Sequence, residues 1–225
     1  VNGCRPQINE QLRLRGQEPR YHNGLRITDQ VALECAKEAA GEIRHDMEAA
    51  FSQGLPNTPM AHSSIRVISG NFLLARPVGI VDGVDFAYSG LVRKVDAQQI
   101  RRALDNGLVV LLSNIGYSAT GEAFNLTMED VAAATAIAID ADKLVYVTEI
   151  DGIPDADGQI MTEISEKDAK RILAATDLPD ITRHYLKHAL RACEGGVARS
   201  HIVPFSQDGS VLLEFFLHDG VGSMV

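Results

Sequence analysis

Residues 127–148 of the chain read TMEDVAAATAIAIDADKLVYVT, and this stretch carries the pattern that decides the fold. It opens with a capping box over residues 127–130, and the alanine-rich run 131–139 that follows is typical of a helix. Residues 144–148 are nearly continuous in apolar and β-branched side chains, as in a strand that is covered on both faces. A capped helix that leads into a buried strand predicts helices packed on a sheet.

The same alternation of helix and strand continues outward in both directions. Caps and periodicity predict three more helices, which start at Thr28 and Asp29, at Asp96, and at Ser165; the first ends near Gly54 and the second at Gly107. Runs of β-branched and apolar residues predict three more strands, at 108–112, 202–205 and 211–217. We therefore predict an α/β fold of three layers, in which a mostly parallel central sheet lies between helices.

Residues 65–95 depart from this pattern. They have no helical period, and four glycines interrupt them at positions 70, 79, 83 and 90. Such punctuation is typical of β-hairpins. The sequence thus predicts one α/β domain over residues 1–225 that carries a hairpin excursion.

Composition and charge exclude several classes of protein. The hydrophobic fraction of 45% and the charged fraction of 23% are ordinary for a soluble protein, and the net charge of -9 argues against nucleic acid or an anionic membrane as a partner. The three cysteines have neither CxxC nor zinc-site spacing, so we expect buried thiols and no metal. No apolar run is long enough to span a membrane and no signal peptide is recognisable, which predicts a cytoplasmic protein.

Six short segments carry a family resemblance. They are residues 3–8 (GCRPQI), 25–29 (LRITD), 69–72 (SGNF), 83–86 with 89–90 (GVDF and SG), 121–126 (GEAFNL), and 212–214 with 220–222 (LLE and GVG). In order and spacing they resemble the amino-acid kinase domain of N-acetylglutamate synthase, and the resemblance covers the whole chain.

This resemblance implies a domain organisation. In that family an acetyltransferase domain follows and transfers acetyl from acetyl-CoA to the amine of glutamate, the first step of arginine biosynthesis. We expect that domain, with acetyl-CoA as its substrate, to begin just past residue 225. Val1, Asn2 and Gly3 read like the end of a strand, so we also expect a strand and a helix before Val1. The resemblance therefore implies no catalytic residue and no cofactor in this chain.

Acetylglutamate kinase shares the same fold, so kinase activity is the competing hypothesis. Those kinases carry three glycines before a proline, and backbone N–H groups reach the phosphate there because glycines leave room. This chain has Gly3, Cys4 and Arg5 before Pro6, and Arg5 itself is a candidate to fill that space. The alternative left open is an active kinase with a divergent phosphate loop.

A second kinase feature is displaced. The family's kinases place a lysine where this chain has Tyr185, and the nearest lysine is Lys187. Two residues along a helix turn a side chain by about 200°, so Lys187 does not replace the missing cation. Phosphoryl transfer depends on such cations, and we interpret the chain as a pseudokinase.

Two sets of polar residues are the candidate sites that the resemblance implies. Arg26 and Asn125 match residues that hold the carboxylates of acetylglutamate in the kinases, and we interpret them as a vestigial substrate pocket. In arginine-regulated relatives the effector binds near the end of this domain, which here implies Glu214, Gly220, Gly222 and His201, with Arg199 and Ser200 bordering the pocket. A guanidinium ligand needs a fixed carboxylate, which Glu214 supplies, and close backbone carbonyls, which glycines allow.

We therefore predict an arginine-sensing regulatory and oligomerisation domain, with L-arginine as effector and a homo-oligomer as the assembly. A stand-alone arginine sensor is the third hypothesis. His184 and His188 have a spacing that can bind metal, but no third ligand is evident, so we interpret them as residues on a helix surface.

Overall fold

The computed structural model describes residues 1–53, 57, 61, 64–174, 178–216 and 221–225. The chain divides into two compact units, Val1–Val131 and Ala132–Val225. Among the described residues, no helix is both long enough and apolar enough to cross a membrane.

The described helices and strands alternate along the chain. The helices are α1 (Arg5–Leu14), α2 (Gln30–Ser52), α3 (Ala97–Asp105), α4 (Met128–Ala138), α5 (Glu166–Ala174), α6 (Asp180–Glu194) and α7 (Ser210–Phe216). The strands are β1 (Tyr21–His22), β2 (Leu25–Arg26), β3 (Val67–Ile68), β4 (Leu73–Pro77), β5 (Ile80–Val81), β6 (Val84–Asp85), β7 (Gly90–Val95), β8 (Val109–Val110), β9 (Ile115–Tyr117), β10 (Ala123–Asn125), β11 (Lys143–Thr148), β12 (Arg199–Pro204) and β13 (Ser223–Met224).

The predicted helix starts are confirmed by their capping hydrogen bonds. The Asp29 carboxylate accepts from Ala32 N–H at 2.9 Å, and the Asp96 carboxylate accepts from Gln99 N–H at 3.2 Å. The hydroxyl of Ser165 accepts from Asp168 N–H at 3.1 Å. Each bond satisfies one of the N–H groups that a helix leaves unpaired in its first turn.

In the first unit, a sheet of order β10-β9-β4-β7 combines one parallel pair, β4 with β9, with antiparallel neighbours. β3 pairs in parallel with β8. The hairpins predicted within residues 65–95 are present as the β5–β6 hairpin and the antiparallel β4–β7 pair. β3 is the exception, because its partner lies about 40 residues further along the chain.

Two tight turns shape this unit. β1 and β2 are joined by Asn23 and Gly24, and β5 and β6 by Asp82 and Gly83, and all four residues have positive φ. Two-residue hairpin loops of type I′ need positive φ at both positions, which explains the Asn-Gly and Asp-Gly pairs. A hydrogen bond joins the two hairpin loops, since Asn23 Nδ2 donates to Asp82 Oδ2 at 3.0 Å.

α1 and α2 pack together in the same unit. Pro6 occupies the first turn of α1, where a missing N–H costs nothing. A buried cluster joins the two helices; its members are Cys4, Ile8, Leu12, Ala32, Cys35, Ala36, Ala39 and Ala40. The alanines of α2 let the helices approach closely, and the thiols of Cys4 and Cys35 are buried as the sequence predicted.

In the second unit, β11 and β12 are parallel over six residue pairs and β13 is antiparallel to β12. The strands predicted at 144–148 and 202–205 are thus confirmed. β11 starts one residue before its predicted range, whereas β12 starts three residues before its predicted range and ends one residue earlier. α6 packs on β12, and its residue Cys193 donates to Ser200 Oγ at 3.5 Å. The α6 layer therefore covers the side of β12 that carries Ser200.

One predicted strand is wrong. Residues 210–216 form α7, in which Leu213 N–H donates to the carbonyl of Gly209 at 2.9 Å; residue 217 lies outside the described residues. A short continuous apolar run fits a strand and a buried helix equally well by periodicity. Gly209 lies directly before α7 and has a φ of +73°, a backbone conformation that favours glycine.

Candidate functional site

His201 and Glu214 form a buried ionisable pair in the second unit. β12 carries His201 and α7 carries Glu214, and Nδ1 of the imidazole lies 2.7 Å from Oε1 of the carboxylate. Their side chains are 5% and 6% exposed. A strand here would have alternated its side chains between two faces, whereas helix α7 turns Glu214 onto the sheet.

The other carboxylate oxygen of Glu214 holds the chain that precedes β13. Val221 N–H donates to Oε2 at 2.8 Å, and Gly222 N–H also bonds the carboxylate. Burial by itself would raise the pKa of Glu214, but the hydrogen bonds from His201, Val221 and Gly222 outweigh it and lower the pKa below its ordinary value of 4.5. The carboxylate is therefore ionised at neutral pH. We call His201, Glu214, Val221 and Gly222 the His201–Glu214 cluster.

Gly222 is required at its position by close approach. A Cβ built there would lie 2.1 Å from the carbonyl oxygen of Ile202, so no side chain fits without moving β12. The reason is steric, because the backbone of Gly222 does not have a positive φ. Gly220 lies outside the described residues.

Aromatic and cationic groups complete this side of β12. The ring of Phe215 lies 5.7 Å from the ring of His201, and Lys143 Nζ lies 4.7 Å from the Phe215 ring centroid. Nε2 of His201 is buried and has no hydrogen-bond partner in the part of the chain that the structure describes. The cluster and its neighbour Phe215 thus combine an anion, an imidazole whose Nε2 has no described partner, and an aromatic ring.

The structure separates one of the two predicted neighbours, Ser200, from this cluster. Arg199 lies on the same strand as His201 and is exposed. Ser200 was expected to border the pocket, and this is wrong, because it faces α6, where Cys193 donates to its hydroxyl. The reason is the strand's own alternation, which sends consecutive side chains to opposite faces.

Arg26 lies in the first unit and is held by its neighbours. Its Nη2 donates to Asn9 Oδ1 at 2.6 Å and to the hydroxyl of Tyr21 at 2.7 Å, and its guanidinium carbon lies 4.8 Å from the Tyr21 ring centroid. Nη1 is buried without a partner among the described residues. Burial is the main cause that lowers the pKa of this guanidinium, which still stays charged.

Asn125 belongs to a separate interior polar chain, made of Cys4, Asn114, Asn125, Thr28 and Ser89. Asn125 Oδ1 accepts from Asn114 Nδ2 at 2.6 Å, and Asn125 Nδ2 donates to Thr28 Oγ1 at 3.1 Å. At the ends, Cys4 Sγ donates to Asn114 Oδ1 at 2.9 Å, and Ser89 Oγ donates to the carbonyl of Arg26 at 2.6 Å. Both ends of the Asn125 amide are therefore occupied by the protein itself.

The segment that matches the kinases' phosphate loop has a different construction. Cys4 precedes α1, and burial raises the pKa of its thiol to about 11, so it stays protonated at neutral pH. Arg5 does not turn inward but donates from Nη2 to the carbonyl of Gly24 at 2.7 Å and lies over the Tyr21 ring. The space that glycines would leave is occupied by the Cys4 side chain and its bond to Asn114.

The position of the kinases' lysine is occupied by an aromatic residue. Tyr185 is buried in α6, its hydroxyl donates to Glu149 Oε2 at 2.9 Å, and its ring packs 5.7 Å from that of Tyr146. Lys187 is exposed, in line with the prediction that it does not replace the missing cation. No cation therefore projects from position 185.

The two histidines of α6 are not both on a helix surface. His188 is buried, and its ring lies 5.0 Å from that of His184, which is half-buried. The expectation failed for His188 because its side chain is buried instead of facing water. Within the described residues, no group of three or more His, Cys, Asp or Glu side chains has the arrangement of a metal site.

The sequence analysis did not identify three residues that lie in or beside these sites. Lys143 and Phe215 had no signal, because only the tertiary structure brings β11 beside α7. Asn114, by contrast, stands next to the carboxyl end of the predicted strand 108–112, a place where polar side chains often meet.

The sequence matches the amino acid kinase family over residues 1–204. Curated relatives named amino-acid acetyltransferase match the whole chain: that of Ralstonia nicotianae is 56% identical over 225 residues, and that of Pseudomonas fluorescens strain SBW25 is 44% identical over 225 residues. The chain covers 50% of the first relative and 52% of the second. It therefore spans about half the length of the curated relatives it matches.

Solved structures give the same result. N-acetylglutamate synthase from Neisseria gonorrhoeae, complexed with coenzyme A and L-arginine, superposes with a TM-score of 0.90 at 37% identity over 99% of this chain and 52% of that one. Carbamate kinase from Giardia lamblia bound to AMP-PNP superposes with a TM-score of 0.70 at 12% identity, over 99% of this chain and 82% of that one, and shows the fold alone. The predicted α/β fold and the predicted resemblance are both confirmed.

Proposed function

The chain belongs to the amino acid kinase family, and we propose that it is the regulatory and oligomerisation domain of an N-acetylglutamate synthase. The reaction of the parent protein would be the transfer of acetyl from acetyl-CoA to glutamate, the first step of arginine biosynthesis. The observation that carries this proposal is the coverage of the relatives, which match this chain end to end with only half of their own length. Acetyl-CoA and the catalytic residues would then belong to the other half of the protein.

L-Arginine is the effector of this proposal, and the His201–Glu214 cluster is its site. The cluster supplies an ionised, nearly buried carboxylate, which suits a cationic ligand. The Neisseria protein that superposes on this chain was complexed with L-arginine. Glu214 also accepts hydrogen bonds from the backbone N–H groups of Val221 and Gly222. A ligand that contacts this carboxylate would therefore affect the position of the backbone that leads into β13.

Kinase chemistry is not part of the proposal. Catalysis of phosphoryl transfer rests on positioning and on cations around the transferred group. Here Cys4 is bonded to Asn114 where a glycine would open the loop, and Tyr185 stands where a lysine is needed. We expect ADP release with acetylglutamate to stay at background in the full-length protein.

The activity is tested with the full-length protein and with residues 1–225 alone. We expect thiol release from acetyl-CoA with glutamate from the full-length protein only. Acetylglutamate-dependent ADP release well above background would contradict the assignment.

Arginine binding is tested by calorimetry on the full-length protein, with lysine as the control ligand. Glu214→Ala removes the charge-assisted contacts of the cluster and should cost about 1.5–3 kcal/mol of binding, roughly a ten- to hundredfold loss of affinity. Glu42→Ala, which removes an exposed carboxylate from α2, is the matched control and should bind like the parent. If Glu214→Ala remains folded and binds arginine as tightly as the parent, the site lies elsewhere.

A further inference from the structure

Two guanidinium groups lie against one aromatic ring in the first unit. The guanidinium carbons of Arg5 and Arg26 lie 4.9 and 4.8 Å from the ring centroid of Tyr21. Arg5 donates to the carbonyl of Gly24. Arg26 donates to the carbonyl of Arg5, to Asn9 Oδ1 and to the hydroxyl of Tyr21. All of these acceptors are uncharged, so no carboxylate among the described residues balances the two positive charges.

Arg26 is the cation that this imbalance affects most, because it is buried. Its exposure is 8%, and its Nη1 is buried with no hydrogen-bond partner in the part of the chain that the structure describes. Burial lowers the pKa of this guanidinium, and the charge of Arg5 acts in the same direction, yet arginine does not lose its proton in proteins. A buried charge is costly unless it is paired, and buried N–H groups are usually bonded. Both properties point to a negatively charged acceptor that comes from solution.

We propose that Nη1 of Arg26 binds a small inorganic anion with the size and charge of chloride, and that the positive charge of Arg5 strengthens this binding. The size follows from which nitrogens are available. A guanidinium holds a carboxylate or a phosphate through two parallel N–H groups. In Arg26 either such pair includes Nη2, which already serves Asn9, Tyr21 and the carbonyl of Arg5. Nη1 by itself suits a spherical anion.

The anion would lie where two parts of the first unit meet. Arg5 and Asn9 belong to α1, whereas Tyr21 and Arg26 belong to the hairpin of β1 and β2. Balancing the two positive charges at this junction should hold the hairpin against α1. Because a ligand that binds only the folded state stabilises that state by mass action, the anion would stabilise the first unit.

This site differs from the substrate pocket that the sequence analysis expected around Arg26 and Asn125. Both ends of the Asn125 amide are bonded, to Asn114 and to Thr28, so that residue has nothing to offer a ligand beside Arg26. The inference also goes beyond the proposed function, because it involves neither L-arginine nor acetyl-CoA.

The test is hydrogen exchange of residues 5–26 in the full-length protein, at constant ionic strength, with sodium gluconate replaced stepwise by sodium chloride. Gluconate is too large for a single-nitrogen site and serves as the reference anion. When chloride reaches about ten times its dissociation constant, exchange through opening of the site should slow about tenfold. Arg26→Met, which removes the charge and nearly keeps the length of the side chain, should abolish this dependence on chloride. Arg13→Met, at an exposed arginine of α1, is the matched control and should keep the dependence of the parent.

Two further measurements decide the question even if Arg26→Met does not fold. Arg5→Met changes an exposed side chain and should raise the chloride concentration that gives half of the protection. Bromide should replace chloride, and crystals of the unmodified protein soaked in bromide should show an anomalous peak beside Nη1 of Arg26. A crystal without that peak would overturn the inference.

Three results of the exchange experiment would also overturn it. They are exchange that does not depend on chloride, a chloride dependence that a folded Arg26→Met protein retains, and stronger protection by acetate or phosphate than by chloride. The last result would mean that the site takes oxyanions through two N–H groups. None of these results concerns acetyl transfer or arginine binding, so the proposed function is tested separately.

Discussion

The interior polar chain of the first unit and the His201–Glu214 cluster of the second are both buried polar networks, but they end differently. In the interior polar chain, each end of the Asn114 and Asn125 amides is bonded to another part of the protein. In the cluster, Glu214 is bonded on both oxygens, whereas Nε2 of His201 has no described partner.

This difference separates a structural network from the proposed binding site. A completed network contributes rigidity and has nothing left to offer a ligand, because any new bond must break an old one. A network with one buried acceptor left over gains a bond when a donor arrives. By the same contrast Asn125, which the sequence analysis predicted in a vestigial substrate pocket, belongs to a completed network in the interior.

Gly222→Ala is expected to have the largest effect, and it breaks only the second network. The new Cβ would meet the carbonyl oxygen of Ile202 at 2.1 Å and the Cα of Val203 at 3.0 Å. Because both contacts are backbone, we expect a loss of at least about 3 kcal/mol of unfolding free energy. Urea denaturation measures the loss, and hydrogen exchange should show that residues 132–225 lose protection first.

Gly41→Ala is the matched control for this variant. Gly41 lies inside α2 with open space at its Cβ position, so alanine there should stabilise by about 0.5–1 kcal/mol. A Gly222→Ala protein as stable as the parent would mean that the close approach at Ile202 is absent.

Asn125→Ala breaks the first network instead. It leaves Asn114 Nδ2 without its acceptor and removes one of the two hydrogen-bond partners of Thr28 Oγ1, both in the interior. We expect a loss of about 2–3 kcal/mol of unfolding free energy, with early loss of amide protection within residues 1–131. Asn71→Ala, at an exposed asparagine, should change stability by no more than about 0.5 kcal/mol; equal effects of the two variants would refute the structural role of the polar chain.

Glu214→Gln is expected to have the smallest effect, and it sharpens the comparison through pH. Since the pKa of Glu214 is lower in the folded protein, its ionised form stabilises the fold above the ordinary value of 4.5, and this is lost as the pH falls through the folded pKa. At pH 7 the variant should be about 1 kcal/mol less stable than the parent, and the difference should shrink as the pH falls below 4.5 and through the folded pKa. Urea denaturation at pH 7 and at a pH below 4.5 measures it, and a difference that grows towards acid would contradict the assigned charge state.

The sequence determined the elements whose signals are local. Asp29, Asp96 and Ser165 cap the helices that they were predicted to begin, because a capping bond spans only three residues. The β11 strand, with its apolar run, was equally readable. The family motifs also identified the replaced phosphate loop and the missing lysine at position 185 without coordinates.

Only the tertiary structure decided the groups that meet across long separations. The apolar run at 211–217 does not contain the information that it folds as a helix, since helix and strand both bury such a run and the choice depends on what it packs against. That choice places Glu214 on His201 and, with it, decides which residues form the cluster. The state of Asn125 was likewise undecidable from its motif, because its partners Asn114 and Thr28 are 11 and 97 residues away in the chain. Whether a polar atom has a hydrogen-bond partner depends on its surroundings in the folded protein. This property distinguishes the interior polar chain, whose amide groups are all bonded, from the His201–Glu214 cluster, in which Nε2 of His201 has no described partner.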